Sequence, residues 1–175
     1  MRFPMVMALT AVVTIVVPTA RSAEPTQLVN TLDNSAAEIE AFFDSLTTVQ
    51  RPENVELLSV VITRQGKWPD HAIGDNPMRL TATNAQVVSR TLLTVNSYLQ
   101  AMTACPFVPD VAFRFHADKE AVLAFVSFEC SEVVFEDSTG HQLSGRLKLG
   151  KGRGPLLAVA KASWPDNREL QALSE

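Results

Sequence analysis

The sequence predicts an α+β fold: a mainly antiparallel sheet of about five strands with helices packed on one face, following a cleaved N-terminal signal peptide. Three observations carry that reading. Between Cys105 and Cys130, two apolar runs flank the polar turn His116-Ala117-Asp118-Lys119-Glu120, the layout of a β-hairpin. A second pair of short apolar runs surrounds Asp137-Ser138-Thr139-Gly140. Ahead of both hairpins, two stretches carry apolar residues at helical spacing.

The chain begins with a short positive start at Arg2, then Met5 to Val17, apolar except for Thr10 and Thr14, then the small residues of Pro18-Thr19-Ala20-Arg21-Ser22-Ala23. This is the pattern of a secretory signal peptide cut after Ser22 or Ala23. Spanning a bilayer takes about 20 apolar residues, more than this run supplies, so no stable membrane insertion is expected after cleavage. Residues 1–22 are thus read as signal peptide, 23–34 as a polar lead-in and 35–175 as one domain. Losing Arg2 and Arg21 takes Lys+Arg from 15 to 13 against 19 acids, so the formal charge moves from -4 to -6. That balance argues against nucleic acid as a partner and points to an unidentified envelope or extracellular ligand or protein. The expected location is periplasmic or secreted.

Ser35 and Glu38 form a capping box, and Ile39, Phe42, Phe43 and Leu46 then share one helical face. Arg51-Pro52-Glu53-Asn54 breaks the chain, and the β-branched run Val55 to Thr63 reads as an internal strand. Residues 66–80 read as a long connection, rich in glycine and proline. Thr83 and Gln86 suggest a cap for the longest helix, from Asn84 to Met102, whose stripe is Val88, Leu92, Val95, Leu99 and Met102.

In the first hairpin, Val111, Phe113 and Phe115 alternate with Ala112, Arg114 and His116, while Ala121 to Phe128 is apolar nearly throughout, as in a strand covered on both faces. A two-residue turn at Asp118-Lys119 sets Phe115 opposite Val122 and Phe113 opposite Ala124. That register puts Cys105 and Cys130 on one face, which in an exported chain predicts a disulfide. A metal site from Cys105, His116 and Cys130 is the weaker reading, because alternation sends His116 to the other face. After Cys130, Leu143, Leu147 and Leu149 alternate with polar neighbours around a possible bulge at Gly145. Asp166 and Glu169 read as caps for a last helix, from Asn167 to Leu173.

Two stretches hold chemistry-bearing residues. The 68–75 loop has Trp68, Asp70, His71 and Asp75, which in a hydrolase-type enzyme would supply a base and its orienting acid. Its bland reading is a surface loop with Trp68 against the core. The run Gly150-Lys151-Gly152-Arg153-Gly154-Pro155 precedes a helical pattern, an arrangement that binds anions through free backbone N–H groups. It lacks the Gly-Lys-Ser/Thr of a phosphate loop, and its bland reading is a flexible turn with Pro155 at the first helical position. No cofactor and no metal ion is implied.

Cys105, Pro109, Phe113-Arg114 and Phe128-Glu129-Cys130, within residues 86–136, resemble the layout of uncharacterised exported bacterial proteins. In those a cysteine-proline segment leads into a strand pair that ends in Phe-x-Cys. The resemblance implies a fold and no established activity. The expected function is a non-enzymatic binding or accessory domain of the bacterial envelope, the alternatives being an anion- or phosphate-group-binding module at 150–156 and an enzyme using the 68–75 loop.

Overall fold

Residues 35–63, 70–101 and 104–174 are described by the computed structural model; the expected signal peptide, the lead-in and Trp68 lie outside the described residues. Helix α1 (Ala36–Ser45) starts as its sequence requires. The Glu38 amide donates to Ser35 Oγ, and the Ser35 amide donates back to the Glu38 carboxylate at 2.6 Å. Ile39 and Phe43 point into the core, and a short helix α2 (Thr47–Gln50) adds Val49.

After the break at Arg51-Pro52, strand β1 (Asn54–Thr63) becomes the axis of one side of the sheet. One edge of it pairs with β4 (Val111–Ala117); along the other lie β2 (Asp70–Ile73) and β3 (Met78–Arg79). Residues 70–73 and 78–79 of the expected connection at 66–80 are therefore strand. Its elements are too short to establish a period, and the interruption at Gly74-Asp75-Asn76-Pro77 reads as a loop in sequence. Both ends are nonetheless stitched to β1, by Gly74 N donating to Ser59 O at 2.9 Å and Leu80 N to Val55 O at 2.9 Å.

Helix α3 (Ala82–Leu92) is shorter than its apolar stripe suggests. Its cap is Thr81, whose Oγ1 accepts from the Asn84 amide, in place of the expected Thr83 box. Thr94 Oγ1 donates to Arg90 O at 2.6 Å and the buried Tyr98 hydroxyl donates to Leu92 O at 2.7 Å. These side chains satisfy carbonyls that a longer helix would have bonded itself. Val95 and Tyr98 continue the stripe from a single 3-10 turn (Val95–Ser97), and Leu99 is half exposed.

β4 and β5 (Glu120–Ser127) form the predicted hairpin in the predicted register, Phe115 opposite Val122 and Phe113 opposite Ala124. Asp118 takes the positive φ of 51° that the tight turn needs. β6 (Glu132–Asp137) and β7 (Leu147–Lys148) follow. Between the Glu136–Gln142 bridge and the Val133–Leu147 pair the returning strand carries two extra residues, a bulge in the stretch that contains Gly145. Among the described residues the sheet has seven strands against the expected five, with the order β2-β1-β4-β5-β6-β7 and β3 beside β1. Helices α4 (Arg153–Ser163) and α5 (Arg168–Ala172) close the chain. Pro155 is the third residue of α4, and α5 is capped by Asn167, whose Oδ1 accepts from the Leu170 amide.

The helices cover one face. There Leu57, Phe113, Phe115, Val126 and Phe135 of the sheet meet Phe43, Val88, Leu92, Leu156 and Leu157 of the helices in one continuous core. The other face carries a smaller cluster of Leu58, Phe107, Ala112, Leu123, Phe125 and Val134, to which the helices contribute nothing. Phe107 reaches that face because the Cys105–Cys130 disulfide, with Cα atoms 5.7 Å apart, ties its segment beside the end of β5. Arg146, just before β7, holds the same segment: its guanidinium pairs with the buried Glu132 of β6, donates to the Cys105 carbonyl and lies 5.8 Å from the centre of the Phe107 ring.

Candidate functional site

The predicted site residues are placed by these same devices. Asp70 opens β2 opposite Thr63, His71 is next, and Asp75 is exposed in the turn beyond Gly74. His71 packs against Phe125 of β5 with ring centroids 4.1 Å apart and the rings tilted by 56°, and its Nε2 lies 3.6 Å from Glu136 Oε1 on β6. In the sheet order β2 and β6 are separated by three strands, so the β1–β2 hairpin must lean over the second face for this contact to form. Nothing in the sequence linked His71 to Glu136, because the contact depends on that curl.

A second charged group sits on the same face. Glu56 Oε2 accepts from Arg114 Nε at 2.8 Å and lies 3.1 Å from His116 Nε2. Burial acts to raise the Glu56 pKa, but the hydrogen bonds and charges of Arg114 and His116 outweigh it and hold the carboxyl below its ordinary value. His116 thus serves a carboxylate on the second face, and the two cysteines are bonded to each other. Among the described residues no three His, Cys, Asp or Glu side chains group as metal ligands.

At 150–154 the loop turns inward. Gly150 N and Gly152 N both donate to Ser97 O, at 2.7 and 3.2 Å, and Arg153 N donates to Gly150 O. Arg153 Nε donates to Phe128 O at 2.9 Å and its Nη1 to Ser174 O at 2.6 Å, while Lys151 is exposed. Gly152 is the residue before α4, and a Cβ there would lie 2.8 Å from Ser97 Cβ. The glycines therefore admit close approach to the Ser97 turn, and much of the donor set that would hold an anion is occupied within the chain.

Two of the clefts among the described residues combine apolar or charged walls in a way that could hold a ligand. The first, of about 450 Å³, lies where α1 and α2 meet the tips of both hairpins. Phe42, Leu46, Val122 and Leu143 provide apolar surface, and Glu120 and His141 are among its polar residues. Its β6–β7 turn is fixed by Asp137, whose Oδ1 accepts from Thr139 N, Thr139 Oγ1 and His141 N at 2.6 to 3.0 Å. The Thr139 hydroxyl, helped by the His141 and Thr139 amides, outweighs the opposing effect of desolvation and keeps this carboxyl below its ordinary pKa. Each turn was legible in the sequence, but their convergence on α1 follows from topology alone.

The second cleft, of about 460 Å³, lies between the α2–β1 connection, β3 and α3. Arg51, Glu53, Asn54, Arg79, Gln86 and Ser89 are among its residues. Asn54 Oδ1 and Ser89 Oγ are buried without a hydrogen-bond partner, and neither Arg51 nor Arg79 has an ion-pair partner among the described residues.

No protein-family model, curated protein or solved structure matches this chain. No helix of the described residues is long and apolar enough to cross a membrane.

Proposed function

We propose that this protein is an exported, disulfide-locked binding domain that performs no catalysis and takes a small, partly apolar ligand in the cleft at the hairpin tips. The observation that carries the reading is the make-up of that cleft. An apolar floor of Phe42, Leu46, Val122 and Leu143 with a few polar groups around it is the composition of a ligand pocket, at a volume of about 450 Å³. The engagement of the other candidate groups supports it. His71 is packed against Phe125 with Glu136 beside its ring, and Arg153 is bonded to two carbonyls. Export is supported by the signal-like N-terminus and by the Cys105–Cys130 bridge, which persists in oxidising compartments. The resemblance to exported bacterial proteins with a Cys-x-Pro strand pair ending in Phe-x-Cys belongs to the same reading.

A fluorinated fragment library screened by NMR tests it. Fragments that bind the domain and are displaced in Ser45→Trp, which fills the cleft mouth from the exposed end of α1, support the proposal. A screen with no hit sensitive to Ser45→Trp overturns it. Thiol alkylation of the protein from the extracytoplasmic fraction tests export, and free thiols there contradict it.

A further inference from the structure

A different observation points to a second site. Buried polar atoms in folded proteins are nearly always hydrogen-bonded, yet the α2–α3 cleft has two that are not, Asn54 Oδ1 and Ser89 Oγ. Ser89 is only 9% exposed, on the buried side of α3, and both residues line the cleft. An orphaned carbonyl oxygen calls for a donor, and a hydroxyl can take either role. The charges call for something else. Arg51 and Arg79 line the cleft against the single acid Glu53, and neither arginine is spent on an ion pair among the described residues. The first turns of α3 contribute Ala82 and Ala85 to the wall, so the positive end of that helix dipole adds to the same potential.

We infer that the cleft between α2, β3 and α3 binds a small carboxylate that also carries N–H or O–H donors. The carboxylate pairs with Arg51 and Arg79, and the donor supplies the hydrogen bond that Asn54 Oδ1 lacks. Hydroxy acids and amino acids share this chemistry. The site is separate from the hairpin-tip cleft, and the inference stands or falls independently of the ligand proposed there.

The test is amide chemical-shift mapping of the full domain with four compounds: D-glucuronate and L-glutamine, which carry both features, D-glucose, which lacks the carboxylate, and hexanoate, which lacks the donors. The expected result is saturable shifts centred on Asn54 and Ser89 with glucuronate, glutamine or both, and the one that saturates first identifies the hydroxy-acid or amino-acid source. Glucose and hexanoate bind at least about tenfold more weakly, the effect of losing one charge-assisted hydrogen bond. Arg79→Gln, an exposed change that leaves the rest of the spectrum in place, weakens the preferred compound by about tenfold, and Arg51→Gln acts in the same direction. Shifts that are absent, that centre on another surface, or that are equally strong with hexanoate or glucose overturn the inference.

Discussion

Leu57 and Leu58 are neighbours on β1 and both are fully buried, yet they face opposite sides of the sheet and meet different company. Leu57 joins a core shared by every helix. Leu58 joins a cluster of six buried side chains to which no helix of the described residues contributes, enclosed by a disulfide-tethered segment, a leaning hairpin and two arginine–glutamate ion pairs. The first face is closed by apolar area and interlocking shape. The second is closed by tethers at its margins. A strand can therefore be apolar on both sides without a second layer of helices, provided that covalent and charged groups hold irregular chain over the other side.

Breaking the tethers one at a time sharpens the contrast. The largest effect belongs to the disulfide. Closing a loop of this separation contributes about 3.5 kcal/mol by chain entropy. Cys105→Ser with Cys130→Ser is expected to lower the unfolding free energy by that amount, measured by urea denaturation against the oxidised protein. Arg146→Ala comes next. It removes the guanidinium that holds Glu132, whose side chain is 5% exposed, and the cover over Phe107, so a loss of about 2 kcal/mol is expected in the same assay.

The smallest effect is at Glu56. Glu56→Gln removes the acceptor shared by Arg114 and His116, and because these side chains are a fifth to a third exposed the loss at neutral pH is expected to be about 1 kcal/mol. The pH dependence has a definite sign. A carboxyl whose folded pKa is depressed stabilises above its unfolded value, here 4.5, and that contribution is lost as pH falls through the lower folded value. Stability measured from pH 6 down to pH 3 should therefore fall less steeply in Glu56→Gln than in the parent protein.

The same contrast separates what the sequence made legible from what it did not. The β4–β5 register followed from the residues alone, because slipping by one would have turned Phe113 and Phe115 out of the core. The α1 cap was equally local. The apolar continuity of Ala121 to Phe128 announced that both faces of β5 are covered, but the cover on the second face comes from residues far along the chain. Phe107 arrives through the disulfide and His71 through a curl of β1. β2 and β3 escaped notice because elements of four and two residues carry too little pattern. The α3 stripe ran past its helix because core-facing spacing continues through Val95 and Tyr98 after the backbone has changed. Of the candidate sites, the residue types at 70–75 and 150–154 were visible, but the Phe125 and Glu136 partners of His71 and the Ser97 carbonyl that fills the glycine loop were not. The clefts were invisible for the same reason, since each is walled by elements brought together only in the folded chain.

The most direct test of the two-sided sheet is the matched pair Leu57→Ala and Leu58→Ala, compared by urea denaturation of the oxidised domain. Both positions are fully buried, so the structure predicts losses of about 3–4 kcal/mol for Leu57→Ala and about 2–3 kcal/mol for Leu58→Ala, the smaller value reflecting a cluster that can relax or admit water. A Leu58→Ala domain within about 0.5 kcal/mol of the parent, the range of a surface change, would contradict a closed second face.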